Sequence, residues 1–268
     1  MCQLLGMNCN KPASISFSFE GFCRRGGQTD EHSDGWGIAF FEDRGCRLLV
    51  DDKSSATSPL AELIKHYPIK SCNVVAHIRK ATQGPVALEN SHPFMRELWG
   101  RYWVFAHNGH LKNYAPKLEG AFHPVGATDS ERAFCYLLQS LQARFGDAPP
   151  AADALYAALQ EVATEIATYG VFNFMLSNGE ALFAHCSTNL HYVTRQYPFT
   201  HAKLIDCELS MDFNDHNHLD DLITVIATKP LTSNENWVAF APGELKMFQS
   251  GEVRLGGEAQ MREFALAC

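Results

Sequence analysis

Hydrophobic spacing along the chain changes regime twice. Over about the first 110 residues, short apolar runs of strand length dominate, with two amphipathic stretches among them. Residues 128–170 carry apolar positions at helical spacing, and beyond 171 the runs are short again. Residues 2–8 read as a first strand. In 12–22, Ile15, Phe19 and Phe22 recur at helical spacing, and Gly26-Gly27 ends the run. Asp34-Gly35-Trp36-Gly37 is a turn into 38–41, and a second turn ending in Gly45 returns the chain through 46–50 as a hairpin. Residues 58–66 form a short amphipathic helix with Leu60, Leu63 and Ile64 on one face. The unbroken apolar runs 74–78 and 102–106 have the pattern of central strands covered on both faces, and each leads directly into a polar loop.

The helical region opens on Thr128-Asp129-Ser130-Glu131, a capping-box pattern, and continues through Phe134, Leu137, Leu138, Leu141 and Phe145 to Gly146. A proline-bearing linker at 148–152 leads to a second stripe, Leu155, Leu159, Val162, Ile166 and Tyr169, stopped by Gly170. These two helices lie antiparallel in one layer. Strands follow at 171–176, 181–185 (after an Asn178-Gly179 turn), 191–194, 222–227, 244–248 and 253–255. Strands, helices and strands again give an α+β chain, one domain with two sheets between helical layers. Two segments have the composition of mobile loops: 24–28, with its paired glycines, and 212–221, rich in Asp, Asn and His.

Composition narrows the function. A formal charge of −8 over 268 residues, without a basic cluster, excludes a nucleic-acid surface. The start has neither a positive region nor a long apolar stretch, so no signal peptide or membrane anchor is expected, and the protein belongs in the cytoplasm. Nine scattered cysteines, without CxxC spacing, argue against a disulfide framework or zinc ribbon. Most should be buried thiols, with Cys268 the most exposed.

Cys2 is different. Removal of Met1, usual before a small second residue, leaves a thiol (reference pKa ~8.5) and an α-amine (~7.7–8.0) on one residue, a nucleophile with its own base. From position alone an ordinary buried first-strand cysteine is the alternative. The loop after 74–78 reads His77-Ile78-Arg79-Lys80-Ala81-Thr82-Gln83-Gly84. Its arginine offers a planar fork for a carboxylate and Thr82 a further hydrogen bond, unless both are simply solvated. In Asn90-Ser91-His92-Pro93, His92 either orients a ligand or satisfies a carbonyl. In His107-Asn108-Gly109-His110 a side-chain amide and an unobstructed N–H stand together, two neutral donors suited to an oxyanion. Asp129 either caps its helix or binds an ammonium group.

In order, Cys2, Asp34-Gly35-Trp36-Gly37, His77-x-Arg79-x-Ala81-Thr82-x-Gly84, Asn90-x-His92-Pro93, His107-Asn108-Gly109 and Thr128-Asp129-Ser130-Glu131 resemble the glutaminase domain of class II glutamine amidotransferases, which are N-terminal-nucleophile hydrolases. The resemblance extends by motif from Cys2 to about Leu141, and the whole chain looks like the stand-alone YafJ-type branch. It implies a four-layer αββα sandwich of the N-terminal nucleophile hydrolase type, with residues 2–268 as a single domain and no cofactor. It also implies roles: Cys2 as nucleophile, Asn108 and the Gly109 N–H as oxyanion donors, Arg79 and Thr82 on the substrate carboxylate, Asp129 on its ammonium, and His92 in the binding region. The substrate would be L-glutamine, hydrolysed through a γ-glutamyl thioester to glutamate and ammonia.

Two departures qualify the resemblance. The family often has an aromatic residue after the arginine and a histidine after the threonine; here they are Lys80 and Gln83, which leaves room for another γ-glutamyl amide. No synthase domain and no glycine-rich phosphate loop follow, so an ammonia acceptor would be a separately encoded synthase. A γ-glutamyl amide hydrolase without transfer and a silent amino-acid-binding regulatory domain remain as alternatives. A metal enzyme built on His107-x-x-His110 or Asp215-His216-x-His218 is a weaker one.

Overall fold

A computed structural model describes residues 2–67 and 69–256. Met1, whose removal the N-terminal chemistry requires, and Cys268, expected to be the most exposed thiol, lie outside the described residues. The chain runs through β1 (Gln3–Ser14), α1 (Ser16–Arg24), β2 (Trp36–Glu42), β3 (Gly45–Asp51), α2 (Pro59–His66) and β4 (Lys70–Ile78). Then come β5 (Phe94–Leu98), β6 (Arg101–Leu111), α3 (Asp129–Phe145) and α4 (Ala152–Ala167). The remainder is β: β7 (Gly170–Ser177), β8 (Leu182–Cys186), β9 (His191–Arg195), the small pair β10 (His201–Lys203) and β11 (Ser210–Asp212), β12 (Ile223–Ala227), β13 (Val238–Ala239), β14 (Glu244–Gln249) and β15 (Glu252–Leu255).

Seven strands pair in the order β13-β9-β12-β1-β4-β2-β3 and six in the order β15-β14-β8-β7-β6-β5, all antiparallel. Side-chain alternation then fixes the layers, because successive residues of a strand face opposite ways. Leu4, Val75 and Ala39 of the first sheet meet Val104, Ala106 and Met175 of the second in one apolar cluster between the sheets. Their neighbours Leu5, Val74, Ala76, Ile38 and Phe40 point outward, packing with Phe19, Phe22 and Ile64 of α1 and α2. On the far side Phe105, Phe172 and Phe174 pack with Phe134, Leu138 and Leu159 of α3 and α4. Those three phenylalanines are fully buried, each worth about 1.5–3 kcal/mol over exposure. Three apolar interfaces between four layers make the αββα sandwich, an α+β fold of the N-terminal nucleophile hydrolase type.

Several elements depart from the expected pattern. The first helix starts at Ser16, not residue 12, because Ala13 and Ser14 resume pairing with Ser71 and Lys70 after an irregularity in β1. In α2, Ala61 and Ile64 face inward while Leu63 is 60% exposed. Tyr169 lies beyond the end of α4 and is exposed. The capping box is half formed: Thr128 accepts the Glu131 N–H, but the Glu131 carboxylate is held by Arg96 and the Val125 and Gly126 amides. Strand β6 does not stop at 106; it runs to Leu111 along β7, so Asn108-Gly109 is strand, not turn. The expected mobile loops are both anchored. Phe213 is buried and Asn214 bonds the Phe199 carbonyl, while Arg25 is buried against Asp206 and the carbonyls of Lys229 and Pro230. The eight described cysteines are free thiols, and no helix among the described residues is long and apolar enough to cross a membrane.

Candidate active site

Cys2 immediately precedes the strand at the middle of the seven-stranded sheet. Leu4 pairs with His77 of β4 on one side. On the other, Thr228 donates its N–H to the Leu4 carbonyl at 3.1 Å and accepts the Leu4 N–H on its hydroxyl at 2.9 Å. The ladder therefore delivers the half-buried Cys2 to the end of β4, where Lys80 donates its N–H to Sγ at 3.2 Å and receives the thiol at its carbonyl at 3.4 Å. Burial pushes the thiol above its ordinary value; the Lys80 N–H and the charge of Arg79 oppose that shift.

Arg79 sits one residue beyond β4 and is clamped by the Asp34-Gly35 turn. Arg79 donates its N–H to the Gly35 carbonyl, Asp34 donates to the Arg79 carbonyl, and the Asp34 carboxylate accepts the Ala81 N–H at 2.8 Å. Gly35 has φ +120°, and a Cβ there would lie 2.6 Å from Ser91 Oγ, so the turn requires glycine. Arg79 is 2% exposed and its guanidinium is no free fork: it donates to the carbonyls of Pro85, Gln83 and Gly84 at 3.0, 2.9 and 3.3 Å. Of its five N–H groups, two remain. Thr82 is exposed on the same loop.

From that loop Gln83 Nε2 reaches His110 Nδ1 at 3.2 Å, and His110 Nδ1 lies 3.9 Å from Asp129 Oδ2. Asp129 is buried and works locally in two ways, accepting the Leu111 N–H from β6 at 2.7 Å and the Ser130 N–H in the first turn of α3 at 2.9 Å. His107 ties the same helix start to β6 and β7 through Ser130 Oγ (2.8 Å) and the Val171 carbonyl (2.9 Å), which commits both ring nitrogens. Among the described residues no group of three or more His, Cys, Asp or Glu is placed to hold a metal ion.

Asn108 is buried in β6 opposite Asn173 of β7. Its Nδ2 donates to Thr228 Oγ1 at 3.4 Å, while Oδ1 is buried without a partner among the described residues. Phe172, paired with Gly109, donates its N–H toward β8, to Ser187 Oγ at 3.0 Å. Gly109 and Phe172 are thus a non-hydrogen-bonded pair, so the Gly109 N–H points away from β7. On that side β5 pairs with β6 only as far as Phe105.

One path of contacts therefore runs from Cys2 to the Lys80 main chain and, from its chain neighbour Arg79, through Gln83 and His110 to Asp129; another runs from Leu4, two residues along from Cys2, through Thr228 to Asn108. His92 stands apart: its ring is buried against His77 and Phe94, at centroid distances of 4.2 and 4.4 Å. Burial pushes His77 down to about 3 and His92 well below the ordinary imidazole range. Thr228, Asn173, the Asp34 carboxylate and the Gln83–His110 bridge are not expected from sequence. Only Asn173 carries a local sign, a polar residue inside an apolar strand.

The family model for class-II glutamine amidotransferases matches residues 1–267. The YafJ protein of Escherichia coli (strain K12), a glutamine amidotransferase by name, is 52% identical over 252 residues, covering 94% of this chain and 99% of the relative. A glutamine amidotransferase by name from Haemophilus influenzae is 53% identical, covering 94% of this chain and 85% of its own. A crystal structure of a predicted glutamine amidotransferase from Pseudomonas aeruginosa superimposes with TM-score 0.75 at 43% identity, covering 94% of this chain and 99% of that one. Glutamine phosphoribosylpyrophosphate amidotransferase from B. subtilis shares the fold, with TM-score 0.59 at 15% identity over 94% of this chain and 48% of its own. With the match spanning nearly every residue, the chain belongs to the class-II glutamine amidotransferases.

Proposed function

We propose that residues 2–268 form one glutaminase-type domain that hydrolyses the side-chain amide of L-glutamine. Once Met1 is removed, the Cys2 α-amine takes the thiol proton and the thiolate attacks the amide carbonyl carbon. Asn108 Nδ2 and the Gly109 N–H stabilise the oxyanion. The proton passes to the departing nitrogen, ammonia leaves, and a γ-glutamyl thioester remains; water then attacks it, releasing glutamate and restoring the thiol. The two free N–H groups of Arg79, with Thr82, bind the α-carboxylate, and Asp129 binds the α-ammonium. Two fixed ends of opposite charge hold the amide over sulfur. The buried packing of His92 favours a supporting place for it over ligand contact. Ammonia passes to a separately encoded synthase.

The observation that carries this reading is the pair of contact paths beside Cys2, one from its sulfur to the Lys80 main chain and on from the adjoining Arg79 to Asp129, the other from Leu4 through Thr228 to Asn108. Intact mass spectrometry before and after a glutamine-analogue electrophile tests it. The expected result is a chain lacking Met1 that gains one adduct, with none on Cys2→Ala. A chain that keeps Met1, or labels elsewhere, removes the mechanism. A second reading, hydrolysis of a substituted γ-glutamyl amide, draws on Lys80 and on the Gln83–His110 bridge beside Asp129. A panel of γ-glutamyl amides assayed beside glutamine separates the two by which amide turns over fastest.

A further inference from the structure

Asn108 is gripped from both sheets. Its main-chain carbonyl accepts Asn173 Nδ2 at 2.9 Å. Asn173 is fully buried, and its side chain is fully bonded: Nδ2 also donates to Thr188 Oγ1, and Oδ1 accepts the Ser187 and Thr188 N–H groups at 2.8 and 2.9 Å. A buried amide with its bonds complete has one orientation. The carbonyl it holds belongs to the Asn108–Gly109 peptide. That unit is planar and trans, so holding C=O also aims the Gly109 N–H. The main chain at this point is fixed, and the freedom left is rotation of the Asn108 side chain.

Thr228 limits that rotation. Its hydroxyl oxygen accepts Asn108 Nδ2 at 3.4 Å and, simultaneously, the N–H of Leu4, two residues from Cys2, at 2.9 Å. A carboxamide nitrogen has two hydrogens in one plane. With one hydrogen on Thr228, the direction of the other is set. We propose that Thr228 is a positioning residue: it orients the side-chain oxyanion donor and ties it to the strand that carries the nucleophile. This rests on the amide-hydrolase reading of Cys2, Asn108 and Gly109. Donors aimed in advance need no reorganisation as charge develops.

Thr228→Val keeps the shape and removes the acceptor. Its kcat for glutamine hydrolysis is expected to fall by about tenfold or more, because small misplacements of a donor cost rate, while KM stays unchanged because neither charged end is touched. Thr228→Ser is expected to restore kcat. Asn108→Ala alone is expected to lose on the order of 10²–10³ in kcat. Combining it with Thr228→Val adds nothing further, since Thr228 acts through Asn108 and coupled residues are not additive. A purely structural threonine would instead give an additive loss. Wild-type kcat in Thr228→Val, or additivity in the double variant, overturns the positioning role while a slow Asn108→Ala leaves the hydrolase reading intact. Wild-type kcat in Asn108→Ala removes the oxyanion assignment and this proposal with it. If Thr228→Val does not fold, Thr228→Ala, which leaves space for water at the Leu4 N–H, is held to the same three criteria.

Discussion

Lys80 meets Cys2 twice through its main chain, as donor to Sγ at 3.2 Å and as acceptor of the thiol at 3.4 Å, while its side chain turns outward to Glu31 at 3.3 Å. The Cys2 sulfur is thus braced by the path of the backbone and not by the lysine ammonium. The family pattern can place a different side chain here without disturbing the sulfur.

Lys80→Ala should therefore leave the thiol as it is. The alkylation rate of Cys2 by iodoacetamide is expected to stay within about fivefold of wild type, the most that an exposed ion pair supplies. A larger change would mean that the ammonium, not the peptide, sets the reactivity of the sulfur.

Arg79→Lys asks whether the guanidinium both binds and builds. A lysine cannot donate to the Pro85, Gln83 and Gly84 carbonyls together and still offer two N–H groups. The glutamine KM is expected to rise at least about tenfold, the loss of one hydrogen bond to a charged group at about 1.5–3 kcal/mol, together with a lower melting temperature. Unchanged KM with lowered stability would show that Arg79 only shapes its loop.

How far these features were legible depended on how local their causes are. The hairpin of β2 and β3 and the start of α3 at Thr128 are written in neighbouring residues, and both form where the pattern puts them. Asn108-Gly109 has the local look of a turn, yet partners some 60 residues later in β7 make it strand. The edge strand β5, with Arg96 and Glu97 among its five residues, shows no clean alternation and exists because β6 lies beside it. On α2, Ile64 and in part Leu60 pack inward as their spacing predicts, while Leu63, just as apolar, turns to solvent and Ala61 takes an inward place. Thr228 carries no mark in the sequence; its place beside Leu4 arises only when β12 pairs with β1.

Gly109→Ala tests the closeness of β6 and β7. A Cβ there would lie 1.8 Å from the Val171 carbonyl oxygen and 2.6 Å from His107 Nε2, and the first obstacle is backbone. The strands must part at the proposed oxyanion donor. Urea unfolding is expected to show a loss of about 1–3 kcal/mol or more, along with lost glutamate release. A midpoint equal to wild type would mean that β6 can shift freely at this point.

Acid stability follows from the buried imidazoles. Burial lowers the values of His77, His92, His107 and His185, His77 to about 3, so the folded protein keeps them neutral where the unfolded chain, with imidazoles near 6.5, takes up protons. Protons bound only in the unfolded state make stability rise with pH. These histidines therefore contribute fully above pH ~6.5, and their contribution is lost as the pH falls below it, at up to about 1.4 kcal/mol per pH unit for each. Between about pH 6 and 5, above the ordinary carboxylate range, the slope belongs mainly to imidazole. His92→Phe keeps a ring against His77 and Phe94 and removes one titrating group. Urea unfolding at pH 7, 6 and 5 should show stability falling with acid in the wild type, and falling less steeply in His92→Phe, by about one proton per molecule at the lower end. Equal slopes would mean that His92 takes up a proton in the folded state too.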